Sequence, residues 1–361
     1  MEVYPIPVTL VNRRTVTIGD SKYAACYAHK ASMKNIAAMG RIIKVTIIAL
    51  LAITLGLVGF TYLAPVQATR LALNAERSHA GLTRKEITLP DGLRYVYLEG
   101  GNGETLILLH GFGADKDNFT RVAHWLTPHY RVIVPDLPGF GESSHPADAD
   151  YGPAVQAERM HQLALALGVS APHLGGSSMG GQIAMAYAIK YPNEVRSLWL
   201  LDPAGIWSAP RSELGKLVIE QGRNPLIAKN EDEFANTFAF VMNDPPFIPR
   251  PILNVMAQGQ INNVALAEKI FKEIATYSVE SGVAGLDTPA FIVWGDQDRA
   301  VNVATGAILH KLMRHSQLSI MHGIGHLPMI ERPQQCAEEY LQFRAQMKDG
   351  DTRAKNSQAQ T

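Results

Sequence analysis

Cysteine is scarce in this chain of 361 residues, where Cys26 and Cys336 are the two present and no Cys-x-x-Cys pair occurs. This scarcity excludes a disulfide framework and a structural zinc site built from Cys-x-x-Cys pairs. A net charge is also lacking, because 33 Lys and Arg residues balance 33 Asp and Glu residues. Without a basic excess, a protein that wraps nucleic acid is not expected. The 47% of hydrophobic residues instead indicate a globular protein.

One long apolar run without charge lies near the start of the chain, where residues 45–64 read VTIIALLAITLGLVGFTYLA. At a helical rise of about 1.5 Å per residue, this run matches a bilayer hydrocarbon core of about 30 Å. Residues 1–44 form a basic tail, with seven Lys and Arg residues against two Asp and Glu residues. The positive-inside rule therefore predicts a single-pass membrane anchor with a cytoplasmic N-terminus and the remaining chain on the periplasmic side.

A cleaved signal peptide is the alternative interpretation of the same run. The small residues of Val66-Gln67-Ala68 fit a cleavage site, and Met33 or Met39 would serve as the start codon. The protein would then be secreted. The apolar region of a signal peptide usually spans about 7–15 residues, which is shorter than this run, so the anchor is favoured.

Beyond the apolar run, short apolar segments alternate with amphipathic ones. The apolar segments predict strands at 93–98, 105–109, 131–135, 172–175, 197–202, 289–294 and 317–321. The amphipathic segments predict helices at 118–126, 153–167, 179–190, 305–313 and 333–347. The central strands are continuously apolar, as in parallel strands covered on both faces. The alternation predicts an α/β fold with a mostly parallel, doubly wound sheet.

One stretch interrupts this alternation. Residues 205–286 contain no convincing strand but have helical patterns at 232–242 and 265–277, joined by proline-rich turns. A long helical insertion between two strands predicts a cap over the strand ends. The core is thus predicted at 85–204 and 287–347, with a disordered polar tail at 348–361.

A candidate nucleophile lies between a predicted strand and a predicted helix. Residues 176–180 read Gly-Ser-Ser-Met-Gly, a G-x-S-x-G pattern with Ser178 at its centre. In this context the pattern predicts a nucleophile elbow, a sharp turn that lifts the serine hydroxyl above the sheet. The flanking glycines keep side chains out of the tight crossing between strand and helix.

A serine nucleophile needs a base, and the base needs an acid that orients it. His326 follows the last predicted strand in a glycine-containing loop, whereas His322 is interpreted as structural. Asp298 follows the penultimate strand and is the preferred acid, and nearby Asp296 is expected to cap the turn. Asp202, at the end of another strand, is a competing acid. The order serine, acid, histidine is typical of α/β-hydrolases.

The oxyanion hole of such a site is expected from two backbone N–H groups. One belongs to Met179, directly after the candidate nucleophile, and the other to Phe112 in the His-Gly-Phe-Gly turn after the strand at 105–109. The aromatic ring of Phe112 is also expected to pack in the core or against the acyl group.

Four motifs together resemble α/β-hydrolase-fold serine esterases. They are HGFGADKDNF at 110–119, PDLPGFGESS at 135–144, GSSMGG at 176–181 and GHLPMIERP at 325–333. The resemblance covers roughly residues 80–347 and is closest to lipases of cold-adapted Gram-negative bacteria, with similarity also to animal membrane-anchored monoacylglycerol lipases. It implies Ser178 as nucleophile, Asp298 as acid, His326 as base, and Phe112 and Met179 as oxyanion donors. Ser177 departs from the His, Asn or Thr that relatives often carry.

The resemblance implies a hydrolase of carboxylic esters, acting on lipid esters such as mono- or triacylglycerols. Acyl transfer through a serine requires no metal and no organic cofactor. Dehalogenases and epoxide hydrolases of this fold are excluded, because their nucleophile is an aspartate. Two alternatives stay open, a hydrolase that cleaves C–C bonds of meta-cleavage products with the same triad, and a membrane-attached scaffold with a vestigial site. The oligomeric state is left open.

Overall fold

The computed structural model describes the backbone of residues 19–358 and the side chains of 25–347, apart from 31 and 37. Residues 1–18 and 359–361, parts of the predicted basic and disordered tails, lie outside the described residues. The chain divides into two compact units, Met1–Leu63 and Ala64–Thr361.

The first unit is described by one helix, α1 (Gly19–Leu63). Among the described residues, its segment Ala25–Leu63 is the one helix long and apolar enough to cross a membrane. Its apolar side chains are exposed, for example Leu55 at 71%. The predicted run at 45–64 thus forms the second half of a longer helix. A signal sequence near the N-terminus would pass the same test of length and composition, so the helix alone does not distinguish it from an anchor.

The second unit is built on an eight-stranded sheet in the order β1-β2-β4-β3-β5-β6-β7-β8. The strands are β1 (Leu82–Thr88), β2 (Arg94–Gly100), β3 (Thr105–Leu109), β4 (Arg131–Pro135), β5 (His173–Ser177), β6 (Ser197–Leu201), β7 (Ala290–Gly295) and β8 (Ser316–Met321). β2 pairs antiparallel with β1 and β4, and the five other pairings are parallel. This confirms the predicted mostly parallel α/β sheet.

Helices cover both faces of the sheet. The helices of this unit are α2 (Pro65–His79), α3 (Thr120–Leu126), α4 (Pro153–Ala166), α5 (Met179–Lys190), α6 (Glu213–Gln221), α7 (Glu231–Val241), α8 (Arg250–Ile261), α9 (Val264–Thr276), α10 (Glu280–Val283), α11 (Ala304–Leu312), α12 (Pro328–Glu331) and α13 (Pro333–Gln358). One core cluster packs under α4, α5 and α11, and the other under α3, α12 and α13. Because β5 and β6 are buried on both faces, every residue in them is buried.

Three elements differ from the sequence-based expectations. β1 lies on the sheet edge with mostly exposed, polar side chains, so it has no apolar pattern from which a strand could be predicted. α2 begins directly after the apolar run and was not predicted. α13 continues to Gln358, whereas a disordered tail was expected from 348. The helices α6 to α10 occupy the stretch between β6 and β7 where a cap was expected.

Candidate active site

The turn between β5 and α5 has the geometry of a nucleophile elbow. Ser178 adopts φ 54° and ψ −118°, a strained conformation for a residue with a side chain. The residues two positions before and after it must be glycine. A Cβ on Gly176 would lie 2.3 Å from the carbonyl carbon of Gly180, and a Cβ on Gly180 would lie 2.0 Å from the carbonyl oxygen of Leu109. The turn therefore presents a half-buried Ser178 above the sheet.

The two predicted partners of this serine contact each other. His326 Nδ1 lies 2.8 Å from Asp298 Oδ2, and their side chains are 5% and 0% exposed. Asp298 Oδ1 also accepts the backbone N–H groups of Ala300 at 2.7 Å and Val301 at 3.0 Å. The carboxylate is thus fixed by its own turn, and it can orient the imidazole with Nδ1 as the donor. His326 and Ser178 line the same cavity.

Asp296 and His322 lie apart from this contact, at the exposed surface. Asp296 Oδ1 accepts the N–H of Gly323 at 2.8 Å, and its other oxygen pairs with His322 Nδ1 at 3.0 Å. The hydrogen bond from His322 lowers the pKa of Asp296. The side chain of His322 is 88% exposed. Asp296 therefore caps a turn.

The competing acid, Asp202, is fully buried at the end of β6. One carboxylate oxygen of Asp202, one of Asp298 and a ring nitrogen of His326 lie within 4.8 Å of one another. The hydrogen bond from His326 Nδ1 is nevertheless accepted by Asp298 and not by Asp202.

The expected oxyanion donors flank Ser178. Met179 is the first residue of α5, so its N–H has no intrahelical acceptor. Phe112 lies after β3, in a loop so close to the elbow that a Cβ on Gly111 would lie 3.3 Å from the Cβ of Ser178. His110 fixes this loop, because its Nε2 accepts the N–H of Leu137 and its Nδ1 then donates to the carbonyl of Gly111. Burial lowers the pKa of His110, which favours this neutral form.

A largely buried ion cluster was missed by the sequence analysis. Lys116 Nζ lies 2.8 Å from Asp136 Oδ2 and 2.9 Å from Glu142 Oε1, with Lys116 and Asp136 almost completely buried. Burial opposes the charge of Lys116, but the nearby carboxylates, Asp136 first, outweigh it and raise the pKa of Lys116. The cluster joins the loops after β3 and β4. In the sequence, the charged residues of this cluster lie within the glycine-containing motifs at 110–119 and 135–144.

The cavity beside Ser178 has a volume of about 390 Å³ and a mainly apolar lining. Its walls come from the sheet loops, the helical insertion and α2, with Phe112, Ser178 and His326 from the loops, Phe234, Phe238 and Met256 from α7 and α8, and Thr69 and Leu73 from α2. The ring of Phe112 packs edge-on against Phe140 and Phe271. Such a cavity suits an extended apolar chain next to a reactive group.

The insertion is tied to the loop of His326 by polar contacts that the sequence analysis also missed. The buried carboxylate of Glu331 accepts the backbone N–H groups of Asn243, Asp244 and Gly325 at 2.8–3.2 Å. The N–H of His326 donates to the carbonyl of Val241 at 2.7 Å. The end of α7 thus fixes the position of the histidine backbone.

Comparisons with known proteins agree with this architecture. The model of a family described as having the alpha/beta hydrolase fold matches residues 104–333. Lipase 3 of Moraxella sp. (strain TA144) is 43% identical over 291 residues, which are 78% of this chain and 91% of that protein.

Two further relatives cover most of the chain. The human monoacylglycerol lipase ABHD6 is 29% identical over 291 residues, 74% of this chain and 86% of that protein. The crystal structure of a membrane phospholipase A, described as a bacterial virulence factor, superposes with a TM-score of 0.76 at 36% identity. The superposed region covers 85% of this chain and 99% of the chain in that crystal structure.

Proposed function

Because this chain belongs to the α/β-hydrolase family, we propose that it hydrolyses lipid esters through an acyl-enzyme intermediate on Ser178. One observation carries the proposal. Ser178 and His326 line an apolar cavity, and the buried carboxylate of Asp298 lies 2.8 Å from the histidine ring. This combination supplies a nucleophile, a base, an orienting acid and room for an acyl chain.

In the proposed reaction, the hydroxyl oxygen of Ser178 attacks the ester carbonyl while His326 Nε2 takes the hydroxyl proton. The N–H groups of Phe112 and Met179 stabilise the negative oxygen that forms. His326 returns the proton to the leaving alcohol, and the acyl group stays on Ser178. A water molecule repeats the sequence and releases the acid, with Asp298 orienting the imidazole in both halves.

The lipid preference is supported by the cavity and by the relatives. Phenylalanine and methionine side chains of α7 and α8 line the cavity, and the two relatives named above as lipases cover most of this chain. An acyl chain transferred from water to such a wall gains roughly 0.8 kcal/mol for each buried methylene group.

We further propose that the N-terminal helix is an uncleaved membrane anchor, with a cytoplasmic N-terminus as its basic flank indicates. Ala68 and Thr69 are buried within α2, and Thr69 and Leu73 line the cavity. Arg77 of the same helix forms an ion pair with Asp117 at 2.6 Å. Cleavage after Ala68 would remove the start of α2 and leave a cavity-lining residue at the new terminus. N-terminal sequencing of the mature protein tests this, and a terminus at Thr69 would contradict it.

The activity is tested with purified protein, a fluorophosphonate probe and esters from C2 to C16 together with a monoacylglycerol. We expect covalent labelling of the wild type but not of Ser178→Ala, and turnover of medium or long acyl chains. Labelling with turnover of a dienone acid and none of esters would instead indicate the C–C bond hydrolase. A wild type that neither reacts with the probe nor turns over any substrate would indicate the vestigial scaffold.

A further inference from the structure

Asp202 is fixed against the strand that leads to Asp298. It directly follows β6 and is fully buried. Its N–H donates to the carbonyl of Val293 at 3.0 Å, and its Oδ1 accepts the N–H of Gly295 at 2.9 Å. Apart from Ser178, it is the one non-glycine residue in the described chain with positive φ, at 46°. Such strain persists where surrounding contacts over-determine the conformation, which occurs most often at functional sites.

The second oxygen of this carboxyl group points to no donor. Within the described part of the chain, Asp202 Oδ2 has no hydrogen-bond partner, although it is buried. One carboxyl oxygen of Asp202, one of Asp298 and a ring nitrogen of His326 lie within 4.8 Å of one another. The side chain of Asp298 is also fully buried. Two carboxyl groups that are this close and this deeply buried do not both ionise, because the negative charge of one disfavours ionisation of the other.

The hydrogen bonds indicate which of the two keeps the proton. Asp298 accepts three N–H groups, from Ala300, Val301 and His326, so its negative charge is well stabilised. Asp202 accepts one, from Gly295. Burial raises the pKa of Asp202 well above its usual value, and the charge of Asp298 adds to the effect. Asp202 is therefore the neutral member of the pair.

We propose that Asp202 is a positioning residue, a neutral carboxylic acid whose O–H donates to the Asp298 carboxylate and holds it for His326. The proposal rests on the proposed function of Ser178, Asp298 and His326. Asp202 keeps its proton throughout the reaction, and the cycling proton moves between Ser178, His326 and the leaving group. Asp202 is thus not the alternative acid that orients the histidine.

Two further titratable groups interact with this pair from the covering helices. Glu331 of α12 adds a negative charge that disfavours ionisation of Asp202. Its own carboxylate is held by three backbone N–H groups. Cys336 of α13 is buried, and burial together with Asp202 raises the pKa of its thiol. Neither group supplies a positive charge that would favour an ionised Asp202.

The first test compares Asp202→Asn with Asp202→Leu in the full chain. Asparagine keeps a neutral donor toward Asp298, so we expect kcat within a few fold of the wild type. Leucine has the same branched shape, with methyl groups in place of the two oxygens, but no donor, and we expect kcat to fall roughly 10- to 100-fold with KM nearly unchanged. Equal losses in both variants would contradict the proposal.

The pH profile of kcat/KM distinguishes a neutral Asp202 from an ionised one. If Asp202 is a neutral donor, the acid limb of kcat/KM stays in place for Asp202→Asn. For Asp202→Leu it moves to higher pH, because Asp298 then stabilises the imidazolium more strongly. If Asp202 is ionised, Asp202→Asn removes a negative charge beside His326 and moves the acid limb to lower pH. That shift would overturn the proposal.

A second readout does not depend on activity. A carboxyl group with a raised pKa in the folded state stabilises the fold fully below the unfolded pKa of about 3.9 and loses this contribution as pH rises through the folded pKa. The unfolding free energy of the wild type relative to Asp202→Asn should therefore fall as pH rises above about 4. A difference that stays constant between about pH 4 and 8 would contradict a neutral Asp202.

The two proposals fail in different ways. If Ser178→Ala keeps full turnover, the proposed function fails, while the unfolding measurement still tests Asp202. If Ser178→Ala is inactive but Asp202→Asn abolishes turnover and Asp298→Asn is mild, the serine mechanism stands and Asp202 is the orienting acid, which overturns this inference.

Discussion

The sheet and the helical insertion bury their side chains to very different extents. Both faces of the sheet carry large continuous clusters, in which residues such as Leu174, Leu200 and Ile292 have no exposed surface. The insertion, which we interpret as a cap, contributes residues such as Ile270 and Val283 to one of these large clusters and otherwise takes part in two small clusters. One centres on Phe234 and Leu253, and the other on Leu214 and Phe240 with Ala300.

The cap compensates with polar contacts to the sheet unit. Gln182 of α5 donates to the carbonyl groups of Ile274 and Tyr277, and Gln260 of α8 donates to the carbonyl of Gly113 at 2.6 Å. Together with Glu331, these contacts hold the cap beside Ser178. The difference teaches that the reactive groups lie on the densely packed part, whereas much of the substrate wall belongs to the part with few buried contacts. Four predictions test this division.

Ser178→Ala should have the largest effect. Loss of the nucleophile is expected to lower kcat on the order of 10⁴- to 10⁶-fold, with the folded structure unchanged. Ester turnover measures the loss of kcat, and circular dichroism shows whether the variant is folded. Ser177→Ala is the matched control, because Ser177 is the buried neighbouring hydroxyl at the end of β5. A control that loses as much activity as Ser178→Ala would contradict the assignment of the nucleophile.

Lys116→Met should show how strongly the sheet unit depends on its buried ion cluster. The substitution leaves the carboxylate of Asp136 buried without its cation, and we expect a loss of about 3–5 kcal/mol in the free energy of unfolding. Chemical denaturation measures it. Lys85→Met is the control, since Lys85 pairs with Glu99 on the exposed edge and should cost at most about 1 kcal/mol. Similar losses would contradict the prediction.

Glu331→Ala should loosen the connection between the cap and the histidine loop. The buried N–H of Gly325 is left unpaired, at roughly 1–3 kcal/mol, and the N–H groups of the more exposed Asn243 and Asp244 lose the same acceptor. We expect kcat to fall roughly tenfold for short and long esters alike, because the backbone of His326 shifts. Glu338→Ala, at an exposed position of α13, is the control. Unchanged kcat in Glu331→Ala would show that the histidine loop holds its position alone.

Phe238→Ala should have the smallest effect and should change selectivity. Phe238 lines the cavity from α7, so its removal widens the wall without touching Ser178. We expect the ratio of kcat/KM between long and short acyl chains to change by about tenfold or less, the range typical of a changed apolar pocket. Phe247→Ala is the control, since that ring is 90% exposed. An unchanged ratio would mean that Phe238 does not contact the acyl chain.

Local sequence patterns were sufficient to predict every strand of the sheet except β1. The bounds of β3, β4 and α5 coincide with those predicted, because continuous apolar runs and a helix start directly after a Gly-Ser turn are local signals. The same local chemistry predicts the turn at Ser178, where glycines allow the crossing. β1 and α2 lack such signals, since one is an exposed edge strand and the other follows an apolar run without interruption.

The spatial arrangement of distant groups was beyond the sequence. Lys116 and Asp136 meet across 20 positions, and Asn243 and Glu331 across 88. The sequence left Asp298 and Asp202 as alternative acids. In the folded chain Asp298 contacts His326, and Asp202 is buried beside this pair. Periodicity and turn residues are properties of neighbouring positions, and they therefore determine strands, helices and the sharp turn. Contacts, burial and the shape of the cavity depend on which segments pack together, so the tertiary structure alone decides them.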